Sequence, residues 1–302
     1  MLRIAIKRKK KTWGEILFII GMLFIPIVHF LVFWLYKNID SILLAFQTPA
    51  LNGGIEWNFE NFNTLFKEFS LPDSNILRAL KNTFIFFFAD LFITFPLAIL
   101  IAYFIYKRVP GFRTFRVIFY LPCIIAATVT ATLFEYIIAG NGPVAQILGI
   151  QGIEMPALLA NSDYALKTIL FYTIFFGLGG NLVLLSGALN QVDKSVLESA
   201  NIDGANRFQE LIYMIIPLMW PTLSTILTFM FVGLFGASGP ILLFTQGAYG
   251  TQTLSYWIFH QVYYGSTYYY PAAVGLFFTL IGAPIALVMR WLLSKGVDDV
   301  AG

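Results

Sequence analysis

Six stretches of this chain are long and apolar enough to cross a hydrocarbon core about 30 Å thick, which takes about 20 helical residues. They run over residues 16–36, 83–106, 117–139, 168–189, 221–244 and 271–293. Their length and continuity predict helices, because barrel strands are shorter and alternate in polarity. Prolines at 26, 96, 122 and 284 fall inside these spans, where neighbouring helices can satisfy the backbone groups a proline frees. They predict kinks and not breaks. Composition points the same way: 58% of residues are hydrophobic and 12% charged, against about 25% charged in a soluble domain. Such a chain could not cover its own core with polar surface in water. The expectation is an all-α membrane protein with six transmembrane helices.

Lysine and arginine placement predicts the orientation. With the N-terminus inside, 14 of the 19 basic residues lie on inner segments, including the run Lys7 to Lys11 and the cluster Lys107, Arg108, Arg113 and Arg116. Both termini are then cytoplasmic. The first apolar run is too long for a usual signal peptide and is followed by no small-residue cleavage site, so it reads as a retained helix. The organisation expected is a basic N-terminus (1–15), a first span (16–36), an outer segment (37–82), a core of five spans (83–294) and a cytoplasmic tail (295–302). A second outer loop is expected over 140–167.

Signals of catalysis are sparse. There is no Walker A pattern, and the two histidines, His29 and His260, are far apart with no Cys/His cluster beside them. Cys123 is the single cysteine, which excludes an internal disulfide, and its Leu-Pro-Cys-Ile-Ile setting predicts a packed thiol. Asp298-Asp299 reads as a solvated tail. Asp90 lies near the middle of the second span, where a carboxylate is costly. It is either a pathway residue or a structural hydrogen bond between helices. Glu135 reads as interfacial. The aromatic run from Tyr256 to Tyr270 fits an interfacial belt, with stacking on a sugar as the alternative.

The inner loop, residues 191–217, breaks the charge rule: Asp193, Glu198, Asp203 and Glu210 outnumber Lys194 and Arg207. It reads as two short helices joined at Asp203-Gly204, with Gly204 permitting a left-handed turn and Asp203 capping the second helix. On that helix Phe208, Leu211, Ile212 and Ile215 recur at helical spacing and should lie against the bundle. Glu198, Arg207 and Glu210 would remain for an outside partner.

The segment Glu198-Ser-Ala-(two residues)-Asp203-Gly204-Ala205, with Pro217 downstream, resembles the EAA loop of ABC importer permeases. Trp57-Asn-Phe-Glu-Asn-Phe-Asn-Thr-Leu-Phe66, Ala79-Leu-Lys-Asn-Thr83, Phe119-Tyr-Leu-Pro122 and Gly250-Thr-Gln-Thr-Leu254 are similar to the carbohydrate branch, the maltose and glycerol-phosphate type. Ser199 stands where the family has alanine, Val192-Asp193 where Ile-Pro is common, and Gly247-Ala248-Tyr249 where Gly-Gly-Pro is usual.

The resemblance implies a type I ABC importer permease fold with cytoplasmic coupling helices in a bacterial or archaeal inner membrane. The chain would be non-catalytic and bind no cofactor, while a separate ATPase uses ATP and Mg. Its implied partners are a second permease subunit, two ATP-binding subunits, an extracytoplasmic solute-binding protein and membrane lipid, with no nucleic acid. Glu198, Ser199, Ala200, Asp203, Gly204, Ala205, Arg207 and Phe208 would couple to the ATPase. Spacing from Glu198 in the maltose type places a substrate path at Thr173, Phe176, Gly177 and Gly180, and at Met230, Gly233 and Leu234, with Asn181 nearby. The glycines would serve either a ligand or close helix packing. Rival readings are a permease for another small solute and a secondary transporter, which would call for inverted repeats and midplane carboxylates.

Overall fold

Hydropathy alone marks where the chain is apolar; glycines, prolines and caps decide where each helix starts and breaks. The computed structural model describes residues 12–50, 53–265 and 267–301, with side chains as far as 296. The basic run from Arg3 to Lys11 lies outside the described residues, as do the side chains of Asp298 and Asp299.

Helix α1 (Trp13–Leu44) opens on a capping box, Thr12 accepting from the Glu15 N–H while the Glu15 carboxylate accepts from the Thr12 N–H. It runs past the expected end of the first span. A hairpin follows, β1 (Gln47–Pro49) antiparallel to β2 (Ile55–Trp57), then α2 (Glu60–Phe69). The buried Asn61 amide donates to the carbonyls of Ala45 at 3.1 Å and Gln47 at 2.8 Å, satisfying the chain where α1 ends. Helix α3 (Asn75–Tyr106) is capped by Ser74 and begins well before the predicted residue 83, so the outer segment is shorter than expected.

The predicted span 117–139 is two helices, α4 (Phe112–Ile124) and α5 (Ala127–Ile138), separated by extended backbone at Ile125 and Ala126. Pro122 lies within the last turn of α4, so a break stands close to where a kink was expected. Hydropathy could not reveal it, because the residues on both sides are apolar. Helix α6 (Pro143–Ile150) occupies part of the predicted outer loop. Helix α7 (Ala165–Leu189) matches its predicted span closely. Helices α8 (Lys194–Ile202) and α9 (Arg207–Leu218) form the inner loop, and α10 (Trp220–Val232) leaves α9 at 76°.

The predicted span 221–244 is also corrected. Helix α10 stops at Val232, and turns through Gly233, Gly236, Gly239 and Pro240 lead to the single turn α11 (Ile241–Phe244). Helices α12 (Leu254–Tyr263) and α13 (Tyr269–Ala301) complete the chain. Among the described residues five segments are long and apolar enough to cross a membrane, namely α1, α3, α5 together with α6 (127–150), α7 and α13, or six if α9 and α10 count as one bent span.

Three clusters of buried residues position the rest, one of them joining Phe86 of α3, Ile169 of α7, Ile241 of α11 and Tyr256 of α12. Toward one end Ala98, Ala102 and Tyr103 of α3 pack with Leu182, Leu185 and Leu189 of α7, Leu211 and Ile215 of α9, and Leu223 of α10. Toward the other, Leu65, Ile76, Leu254, Trp257 and Val274 join α2, α3, α12 and α13. Gly179 sets the fit between α4 and α7: a Cβ there would collide with the Phe119 carbonyl and the Cys123 sulfur. Cys123 is exposed on α4 apart from that contact, which corrects the expectation of an enclosed thiol.

Candidate functional site

Asp193 starts α8 by accepting the Ser195 N–H at 2.9 Å, and that backbone bond, helped by the Ser195 side chain, holds its carboxyl below the usual range. Leu197 and Ala200 turn inward, leaving Glu198 and Ser199 exposed on the opposite face. The helix ends in a Schellman arrangement: the Ala205 N–H bonds the Ala200 carbonyl at 3.0 Å, and the Gly204 N–H bonds Asn201 at 3.2 Å. Gly204 stands at φ +81°, a conformation that L side chains rarely adopt. The bend at Asp203-Gly204 is therefore where the sequence places it.

The caps are assigned differently. Asp203 closes α8, and Asn206 opens α9, accepting from the N–H groups of Phe208 and Gln209 while the Gln209 side chain accepts from the Asn206 N–H. The Asn206/Gln209 spacing is a sequence signal that would have found this cap.

The buried face of α9 is also displaced from the predicted one. Leu211 and Ile215 are buried as expected, but Phe208 is 68% exposed and Ile212 also faces outward. Glu210, expected to be free for a partner, is 2% exposed and paired with Lys107 at the end of α3. The Tyr103 hydroxyl, one turn earlier on α3, donates to the Arg207 carbonyl at 3.0 Å. The residues exposed on α8 and α9 include Glu198, Ser199, Ile202, Arg207, Phe208 and Tyr213. With Ile202 86% and Tyr213 69% exposed, they offer apolar contact area and a flanking carboxylate on two capped helices. Large apolar patches rimmed by charge mark interaction sites.

The residues proposed for a substrate path do not form one surface. Thr173 donates to the Ile169 carbonyl, and Phe176 stacks on Tyr172 with ring centres 4.3 Å apart. Gly177 and Gly180 are exposed on α7; a Cβ at Gly177 would meet only Thr94 Cγ2, at 3.7 Å, and one at Gly180 would meet nothing. Asn181 is half-buried, and its side chain makes no hydrogen bond among the described residues. Met230 packs against the first core, Gly233 ends α10, and Leu234 is 4% exposed. The α7 positions thus offer an open face, whereas Leu234 faces inward.

Asp90 begins a π-helical segment, Asp90–Thr94, that lies against α7. The aromatic run divides: Tyr256 and Trp257 are buried, while Tyr263, Tyr264 and Tyr268 are exposed. Two sequence pieces that are weak separately are joined here. The Asn82 amide donates to the carbonyls of Gly250 at 2.7 Å and Gln252 at 2.8 Å, and the Leu254 N–H donates to Thr83 Oγ1 at 2.9 Å.

No family model matches the chain. It is 26% identical over 270 residues to the Probable ABC transporter permease protein YesP of Bacillus subtilis, spanning 87% of this chain and 86% of that protein. It is also 26% identical to the lactose transport system permease protein LacF of Rhizobium radiobacter, over 85% of this chain and 87% of that one. Its fold matches a crystal structure of a bacterial ABC transporter involved in import of the acidic polysaccharide alginate, with a TM-score of 0.81 and 24% identity. That match covers 93% of this chain and 96% of the other. The chain thus has the fold of an ABC importer permease, and its relatives in sequence are permease subunits of ABC transporters, several of them named for sugars.

Proposed function

We propose that this chain is the membrane-spanning subunit of an ATP-driven importer for a sugar or oligosaccharide, forming half of the translocation path. The observation that carries this reading is the exposed α8–Gly204–α9 surface on a chain whose relatives are ABC transporter permeases. Glu198 would accept a charge-assisted hydrogen bond from a basic group of a separate ATPase. Phe208 and Ile202 would fill apolar space in that partner. The chain itself would be non-catalytic and would bind no cofactor, with ATP and Mg held by the ATPase subunits. A second permease subunit and an extracytoplasmic solute-binding protein would complete the assembly, with both termini of this chain cytoplasmic. Relatives named for lactose, multiple sugars and arabinooligosaccharides support the cargo class.

The test is co-purification of the assembly with its binding protein, followed by a sugar panel read as ligand-stimulated ATP hydrolysis. Glu198→Ala combined with Gly204→Val is expected to lower transport per ATP about tenfold, the range of a coupling free energy between sites. Full transport by that double variant would sink the coupling role. On the path side, Gly177→Trp should block uptake while the ATPase still co-purifies, because an indole there would fill the open face that α7 presents. Unchanged uptake would remove α7 from the path.

A further inference from the structure

Glu210 is the one acid of the inner loop that turns inward, and it does so toward a single cation. Its carboxylate is 2% exposed and meets Lys107 Nζ at 2.5 Å, with the lysine side chain itself 22% exposed. Four residues earlier on α3, the buried Tyr103 hydroxyl donates to the Arg207 carbonyl at 3.0 Å. Two polar attachments one turn apart therefore fix both the height and the rotation of α9 against α3. Leu211 and Ile215 pack below them in the same core as Ala102 and Tyr103.

Stability alone does not account for this choice. A buried ion pair is often no more stabilising than apolar side chains of similar size, because both charges must be desolvated. What it supplies is direction. Apolar contacts allow two helices to slide by fractions of a turn, whereas a Lys–Glu pair and a hydroxyl–carbonyl bond do not. Helix α3 continues from this attachment to Asp90–Thr94, where it lies beside α7 at Gly177.

We propose that Lys107 and Glu210, supported by Tyr103, are positioning residues that transmit displacement of the α8–α9 loop into α3. This rests on the coupling role proposed above. The pair links the loop to the helix beside the open face of α7, and it does so through fixed geometry instead of general packing.

The experiment uses the complete complex of both permease subunits, ATPase and binding protein in liposomes, with transported ligand and hydrolysed ATP measured together. Lys107→Met and Glu210→Gln are expected to lower the ratio of transport to hydrolysis about tenfold, with ATPase co-purification retained. The reversed pair, Lys107→Glu with Glu210→Lys, is expected to recover most of that ratio. Lys107→Met with Glu210→Met keeps the contact apolar and filled, and should stay uncoupled. Wild-type ratios in the singles, or recovery in the double methionine variant, would overturn the link while leaving the coupling surface intact. A wild-type complex whose hydrolysis ignores ligand would instead overturn the functional reading, and the link with it.

Discussion

Helices α1 and α7 are both long and apolar, yet they occupy the molecule in opposite ways. No residue of α1 is buried, and within the described residues its contacts with the rest of the bundle come from its last turns against α13 and the hairpin. Helix α7 buries Ile169, Tyr172, Leu178, Gly179, Leu182 and Leu185 against α3, α4, α5, α10, α11 and α12. In a bilayer an apolar side chain gains little by leaving lipid for protein, so greasiness does not decide which helix packs. Small residues and polar contacts do. Helix α7 has Gly179 under Cys123 and the Phe119 carbonyl, and Ser186 bonded to the Tyr120 hydroxyl at 2.5 Å. In α1, a Cβ at Gly14 or Gly21 would meet nothing.

That contrast is most sharply tested by one substitution made twice. Gly179→Leu forces α4 away from α7 and is expected to cost about 3 kcal/mol, as overpacking does. Gly21→Leu should be neutral or slightly stabilising, because leucine is the better helix former and space is open. Thermal unfolding in detergent separates the two outcomes, and equal losses would break the comparison. Polar contacts offer a second pair. Asn82→Ala leaves two carbonyls of the 250–252 turn without their donor and should cost about 1–2 kcal/mol. Asn38→Ala removes only a bond to the Trp34 carbonyl within α1 and should stay within about 0.5 kcal/mol in the same assay.

The smallest effect belongs to the loop after α7. The carboxyl of Asp193 titrates below its ordinary range, so its cap on α8 is complete above the unfolded value. It weakens as pH falls through the lower folded value. Exchange of the Ser195 amide should therefore quicken on acidification in the wild type but not in Asp193→Ala. Identical profiles would assign the start of α8 to packing by Leu197 alone.

Much of this architecture is legible in the sequence, and its gaps have physical causes. Long apolar runs gave α3, α7 and α13, but hydropathy is blind to the extended step at Ile125–Ala126 and to the turns after Val232. The loop's bend was readable because a left-handed turn calls for glycine, and Gly204 supplies it. Lys107–Glu210 was not, since the partners lie far apart in sequence and Lys107 reads equally well as an interfacial base. The outward turn of Phe208 and Ile212 was missed for a different reason. The π segment Leu211–Ile215 changes the angular step on which the expected stripe was counted.

The same feature occurs in α1 at Phe30–Leu35 and in α3 at Asp90–Thr94, each near a proline. A π segment contains one residue more than an α-helical turn needs, so it behaves as an insertion absorbed without a loop. Each such helix is in effect two reading frames, with faces offset by about 100° across the segment. Removing one residue from Asp90–Thr94 would restore a uniform helix and turn its outer half relative to its inner half. The Asn82 clasp and the Tyr103–Lys107 attachment could not then both be kept. The spare residue is what lets one helix meet two differently oriented sets of neighbours.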